Sequence, residues 1–354
     1  MKFVVTLSFA ISSLAVFAAP ASAQFIVQDG DNLQSVVSAA PSGSVVEIQS
    51  NGTFTGSVVW GGKDLVLRAG VGFTPTIQGH VGISTGIGPA TNTLAGLKIR
   101  GMLDLSSASA VGSAADFDVS DCEVVGMLLV SASNAGSCDV DLLRTTARGS
   151  FGAEARVDAV ARIRATDCGF ARNFFVQAVQ NASAHVTLQR SRINLTLGAF
   201  DGSNGVVGLD VESCLLVGKG FSSTPGVDLG TDVVARLVNT TIYGYGVGLR
   251  GGPSVSGENL MIFGSAMADM GPGILGSQIA NSLIEDGTFA GQNGNFGGTP
   301  VVGPDFRLQP GSIGIDAGNN TALGIGTRDF YGAARIQDGD GNGSSLVDVG
   351  AVEL

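Results

Sequence analysis

Short bursts of alternating apolar and polar residues recur along this chain at a nearly constant distance. The octets FDVSDCEV (117–124), VDLLRTTA (140–147), IRATDCGF (163–170), VTLQRSRI (186–193) and LDVESCLL (209–216) start 23 residues apart, four times in succession. ARLVNTTI (235–242), VSGENLMI (255–262) and SQIANSLI (277–284) continue the series at steps of 26, 20 and 22. Upstream, LKIRGMLD (97–104) fits loosely, as does the strand Leu65-Val66-Leu67. Each octet reads apolar-x-apolar-x-polar-small-x-apolar. Its first three positions have period 2, which predicts a short strand with one buried face. The eighth position is again apolar, and two residues later five of eight repeats carry Gly (126, 149, 218, 244, 264), as a turn with φ > 0 would need.

Repeats of this length predict a solenoid, each repeat burying its apolar face against the next. A leucine-rich repeat has a similar period, but its L-x-x-L-x-L-x-x-N signature and helical half are missing. The expected fold is all-β: a right-handed parallel β-helix of roughly ten coils, about 48 Å long at strand spacing. Solenoid ends need covers, because open strand edges pair with other chains. Residues 31–40 (DNLQSVVSAA) have helical apolar spacing, with Asp31 or Asn32 as N-cap and Pro41-Ser42-Gly43 as the stop. They predict a short N-terminal capping helix, followed by Val45-Val46-Glu47-Ile48 as the first strand.

Composition adds a compartment. Lys2, the apolar run 3–19 and Pro20-Ala21-Ser22-Ala23 form an export signal with cleavage expected after Ala23. No later segment has about 18 uninterrupted apolar residues, so no membrane span is expected. The organisation expected is a signal peptide at 1–23, a cap and first strand at 24–50, β-helix repeats at 51–300 and a closing C-terminal region at 301–354. The destination is extracellular or the cell surface, and the protein is expected to be a monomer. The formal net charge is −11, which disfavours nucleic acid and leaves an acidic polysaccharide approachable only through a bridging cation.

The stretch 31–70 resembles the opening of bacterial parallel β-helix proteins of the pectin-lyase-like class. DFRLQPGSIGIDAGNN (305–320) and TRDFYGAARIQDGDGNGSSLVDVGAVEL (327–354) resemble the C-terminal region of the choice-of-anchor β-helix surface proteins. The resemblance implies export and a β-helix, without implying one activity. Members of that family often continue into a sorting tail; no LPxTG-like motif or terminal apolar segment is visible here, which puts covalent or membrane anchoring in doubt.

Outward positions of the repeated strand carry the candidate chemistry. One column reads Asp116, Asp139, Arg162, His185; the next reads Asp118, Asp141, Arg164, Thr187. Stacking would gather four carboxylates, two guanidiniums and a histidine. Such carboxylates suit Ca²⁺, and the pectate-lyase resemblance implies that a neighbouring Arg could neutralise a uronate or act as base. Against this stands a solvated face whose opposite charges pair between coils. The fifth octet position supports the latter, running Asp121, Arg144, Asp167, Arg190 in alternating sign, then Ser213, Asn239, Asn259, Asn281 as an Asn ladder. Asp338-Gly339-Asp340-Gly341-Asn342-Gly343 opens like a Ca²⁺ loop, with Asp348 one place short of the expected terminal acid. Calcium is therefore a candidate ion at Asp338, Asp340, Asn342 and Asp348.

Cys122, Cys168 and Cys214 share the sixth octet position, so Cys122 and Cys168 lie about 9.6 Å apart at strand spacing, too far for a disulfide. Cys138 lies outside this column, and spacing leaves its pairing open. His80 and His185 are far apart in the repeat count, which disfavours a paired-histidine zinc site. No nucleophile-elbow motif is present. Two functions are expected: a non-catalytic scaffold for adhesion or glycan binding, or a polysaccharide lyase or hydrolase.

Overall fold

The computed structural model describes residues 23–107, 111–220, 223–322 and 324–354. All of the expected export signal except Ala23 lies outside the described residues. The chain winds as an all-β, right-handed parallel β-helix of eleven turns, with sheets of twelve, eleven and ten strands along its length. Each coil contributes one strand to every sheet in turn, as in Ala114–Ser120, Glu123–Val124 and Leu128–Ser133. Each strand then pairs in parallel with its counterpart one coil later. No helix among the described residues is long and apolar enough to cross a membrane.

The repeat register holds. Phe117, Val140, Ile163, Val186 and Leu209 form one buried stack in the first sheet. Val124, Ala147, Phe170, Ile193 and Leu216 form another in the second. At the centre, Phe151 and Phe174 stack with centroids 4.1 Å apart, and Phe170 meets Phe174 edge-on at 4.7 Å. Across residues 117–216 equal coil lengths place like side chains over like, so aliphatic and aromatic stacks run through this part of the core.

Three sequence expectations need correction. The first strand is Gln24–Val27, ahead of the helix, and Ser44–Ile48 pairs onto it as the second. Only one residue of that opening strand is buried, so its alternation is weak. The upstream coil is phased at 92–99 rather than 97–104, because Asn92 pairs with both Leu65 and Phe117. A polar residue thus holds an inward position. Its buried side-chain oxygen accepts from Trp60 Nε1 at 2.8 Å and from Leu65 N at 3.0 Å, so the carbonyl end of the amide is satisfied.

The third correction concerns the turns. Positive φ belongs to the fifth octet position, where all eight residues from Asp121 to Asn281 lie between 45° and 57°. Asp and Asn tolerate this left-handed region better than most residues, which explains Asn239, Asn259 and Asn281 there. Only one Asn-to-Asn rung forms, Asn259 Nδ2 donating to Asn239 Oδ1 at 2.9 Å, while Asn281 Nδ2 donates to Glu258. Of the recurring glycines, Gly244 and Gly264 have the expected positive φ, 75° and 66°, whereas Gly126, Gly149 and Gly218 have ordinary φ. They are needed for close approach. A Cβ on Gly126 or Gly149 would collide with the carbonyl oxygen of Gly101 or Gly126 in the coil below.

Helix Leu33–Ala39 covers the N-terminal end. Asn32 is its N-cap, accepting from Ser35 N, and Lys63 Nζ donates to the carbonyls of Val37, Ser38 and Ala40 at the other end. Gln34 reaches over the edge strand Val58–Gly61. Its side-chain amide accepts from Val59 N at 2.6 Å and donates to Val59 O at 2.9 Å, as a neighbouring strand would.

Residues 301–354 pack along the flank of the later coils. Leu215, Met261, Phe263 and Leu283 point outward from the second sheet and join Phe306, Leu308, Val349 and Val352 in a second core. Arg335 pins this layer. It is 1% exposed, pairs with equally buried Glu353 at 2.7 Å, and donates through Nη2 to Ser213 Oγ at 3.0 Å and Ala351 O at 3.1 Å.

All four cysteines are buried and free. Cys122, Cys168 and Cys214 share an internal column with Thr145 and Ser191, where Cys168 N donates to Ser191 Oγ at 3.1 Å and Ser191 N to Cys214 Sγ at 3.4 Å. Burial pushes the thiols of Cys122 and Cys214 up to about 12 and that of Cys168 to about 11. Cys138 is raised for the same reason. Reactivity needs the exposed thiolate. Native protein should therefore resist a thiol-reactive dye at pH 8 and take up four labels once denatured; rapid native labelling of any cysteine would contradict this packing.

Candidate functional site

Register brings the seven predicted face residues together. Asp116, Asp139, Arg162 and His185 align in one outward column, and Asp118, Asp141, Arg164 and Thr187 in the next. The face continues through two residues not singled out from sequence, Asp210 and Arg236. Extending the second column by two more coils would have found both.

These charges bind one another. Arg164 makes a two-pronged pair with Asp141, Nε at 2.5 Å and Nη2 at 2.8 Å, and Arg162 reaches Asp139 at 3.3 Å. His185 turns away from the acidic end and meets Asp210 at 3.1 Å, which also receives Arg236 at 3.1 Å. Asp116 and Asp118 form no ion pair among the described residues; burial, then Asp139 and Asp118, raise the Asp116 carboxyl. Arg164 is pushed above its ordinary value, chiefly by its hydrogen bonds to Asp141. The fifth-position charges pair likewise: Arg144 with Asp121 at 2.7 Å and Arg190 with Asp167 at 2.8 Å.

The acidic turn gathers a different set from the one its spacing suggests. Carboxylate oxygens of Asp316, Asp338 and Asp340 all lie within 4.8 Å of one another. Asp316 was not singled out from sequence, and 22 residues separate it from Asp338, so no local spacing marks it. Asn342 donates from Nδ2 to Asp340 at 2.8 Å, at the rim of the cluster. Asp348 is 1% exposed and accepts from the backbone N–H groups of Asp316 and Leu354, which fixes it as a support beneath the turn. Asp316, Asp338 and Asp340 thus offer hard oxygen ligands on one side of an exposed turn, chemistry suited to a divalent cation that completes its shell with water.

No protein-family model matches the sequence, and no curated protein matches it closely enough to count as a relative.

Proposed function

We propose that the protein is an exported, extracellular or cell-surface β-helix, of the pectin-lyase-like kind, acting as a non-catalytic scaffold for adhesion or glycan binding. The observation that carries this reading is the state of Arg164. A base would need a guanidinium held well below its ordinary pKa. Two hydrogen bonds to Asp141 push it the other way and occupy the Nε–Nη2 edge of the guanidinium. Charge pairs of this kind are what a solvated strand face uses to align its coils.

The test is a panel of acidic and neutral polysaccharides, with and without Ca²⁺, read for binding and for the ultraviolet absorbance of unsaturated products. Saturable binding without cleavage is expected, unchanged in Arg164→Ala. Cleavage that disappears in Arg164→Ala and Asp141→Ala would establish the lyase reading instead.

Calcium at the 338–342 turn belongs to the same proposal, with Asp316 replacing Asp348 among the ligands. Ligand binding stabilises the folded state by about 2.7 kcal/mol at a hundredfold excess over Kd. Millimolar CaCl2 should therefore raise the Tm of the wild type and leave Asp338→Asn and Asp316→Asn unmoved. An equal rise in all three proteins would rule out this turn.

A further inference from the structure

The residue that opens the first strand is also the residue that cleavage after Ala23 would leave at the chain end. Gln24–Val27 is the outermost strand of the twelve-stranded sheet and pairs on one side only, with Ser44–Ile48. Val45 N donates to Ala23 O and Gln49 N to Val27 O, each at 2.9 Å. The Ala23 carbonyl therefore points into the ladder. In a trans peptide the N–H of the same unit points the opposite way, so the Gln24 nitrogen faces the open edge of the sheet. The residue is exposed, and no hydrogen bond or ion pair engages its side chain among the described residues.

Cleavage after Ala23 turns this edge nitrogen into an α-amine. Such an amine has an ordinary pKa of about 7.7–8.0, so near neutral pH part of it is the uncharged nucleophile. Its electrophile is on the same residue, the side-chain amide carbon, and the fold holds neither group in place.

We propose that the mature chain begins with pyroglutamate at position 24. The Gln24 amine attacks its own side-chain Cδ, and the new C–N bond closes a lactam ring. The Cδ–Nε2 bond breaks, and Nε2 leaves as ammonia with a proton from the attacking amine. The step is neither an oxidation nor a reduction. Ring closure moves only atoms of Gln24. Phe25 still packs against the core and Val27 is fully buried, so the strand stays seated. The lactam removes a positive charge and a primary amine from the sheet edge. Chain ends are where proteolysis concentrates, and an aminopeptidase needs the free α-amine that the ring consumes. The inference rests on the export reading above, with cleavage after Ala23, and adds the chemical state of the new terminus.

The experiment expresses the full chain in a bacterium that exports through signals of this kind. The exported protein is purified, and its N-terminal peptide is read by tandem mass spectrometry, fresh and during incubation at pH 8, both folded and in guanidinium chloride. The peptide should start at residue 24 and be lighter by one ammonia than its sequence. Any uncyclised Gln24 in the fresh sample should convert at similar rates in the folded and unfolded protein, because the edge position restrains neither reacting group. Gln24→Ser should start at the same position and lose no ammonia there. A Gln24 amine that persists in the folded protein, whether or not the unfolded chain cyclises, would overturn the inference and leave the export reading standing. A chain that starts at another residue, or keeps residues 1–23, would overturn the inference together with the cleavage site beneath it.

Discussion

Arg335→Ala is expected to release residues 301–354 from the flank of the solenoid, with a loss of about 3–5 kcal/mol, the usual consequence of removing one partner from a buried ion pair. Limited proteolysis should then cut within 301–354 while the coils persist, and the first unfolding transition should fall. The size of the effect follows from what is stranded. Glu353 is 1% exposed and faces Arg335 at 2.7 Å, and Ser213 and Ala351 lose a donor with it. Burial already raises the Glu353 carboxyl to about 8 against the pull of Arg335. A raised carboxyl means that folding takes up a proton, so this group's contribution to stability falls as pH climbs from about 4.5 to about 8. Without Arg335 the charged form is less favourable still. The deficit of Arg335→Ala should therefore be largest at alkaline pH and shrink toward pH 5, and Glu353→Gln in the same chain should recover part of it. Equal deficits at pH 5 and pH 9 would show that lost packing, rather than the stranded carboxylate, sets the cost.

Gly149→Ala should be among the most damaging single-methyl changes in the repeat. Its new Cβ would sit inside the carbonyl group of Gly126, a backbone atom held by the sheet below, so the coils must separate locally. Overpacking of this kind typically costs 1–3 kcal/mol, occasionally more, and this contact lies at the severe end because backbone cannot rotate away. Gly152→Ala, three residues on, is the control: its Cβ would meet only Leu129 Cδ1 at 3.3 Å, the movable end of a side chain. Thermal unfolding should show a clear drop for the first and little change for the second. Similar Tm values for the two would mean that glycine's backbone freedom, rather than coil-to-coil contact, is why it recurs there.

The candidate face was legible because a 23-residue step repeated four times fixes which residues stack, and column reading needs nothing more. Its pairings were not. Whether Arg164 serves a substrate or Asp141 depends on rotamers and hydrogen bonds that a column cannot show. His185 illustrates the limit: read with the acids before it, it is bonded to Asp210, one coil later. The turn at 338–342 was found by its spacing, but its third carboxylate, Asp316, comes from another part of the C-terminal segment.

By itself, the sequence determined the solenoid, its register and its buried cysteine column, since period-2 alternation and a constant coil length are local properties of the chain. It also recorded, unread, where the flank is covered. The seventh octet position is polar or small through Glu123, Thr146, Gly169 and Arg192, then turns to Leu215, Thr241, Met261 and Leu283, and the fifth position loses its charges at Ser213, in the same coil. Only the tertiary structure decided what those changes meant. An outward apolar residue is costly in water and favourable under a second layer, and the layer here, 301–354, is brought to these coils by long-range packing and by the buried Arg335–Glu353 pair. Local pattern fixes how a coil closes on itself. Which of its outward faces meets water, another segment or a ligand is set by parts of the chain far away in sequence.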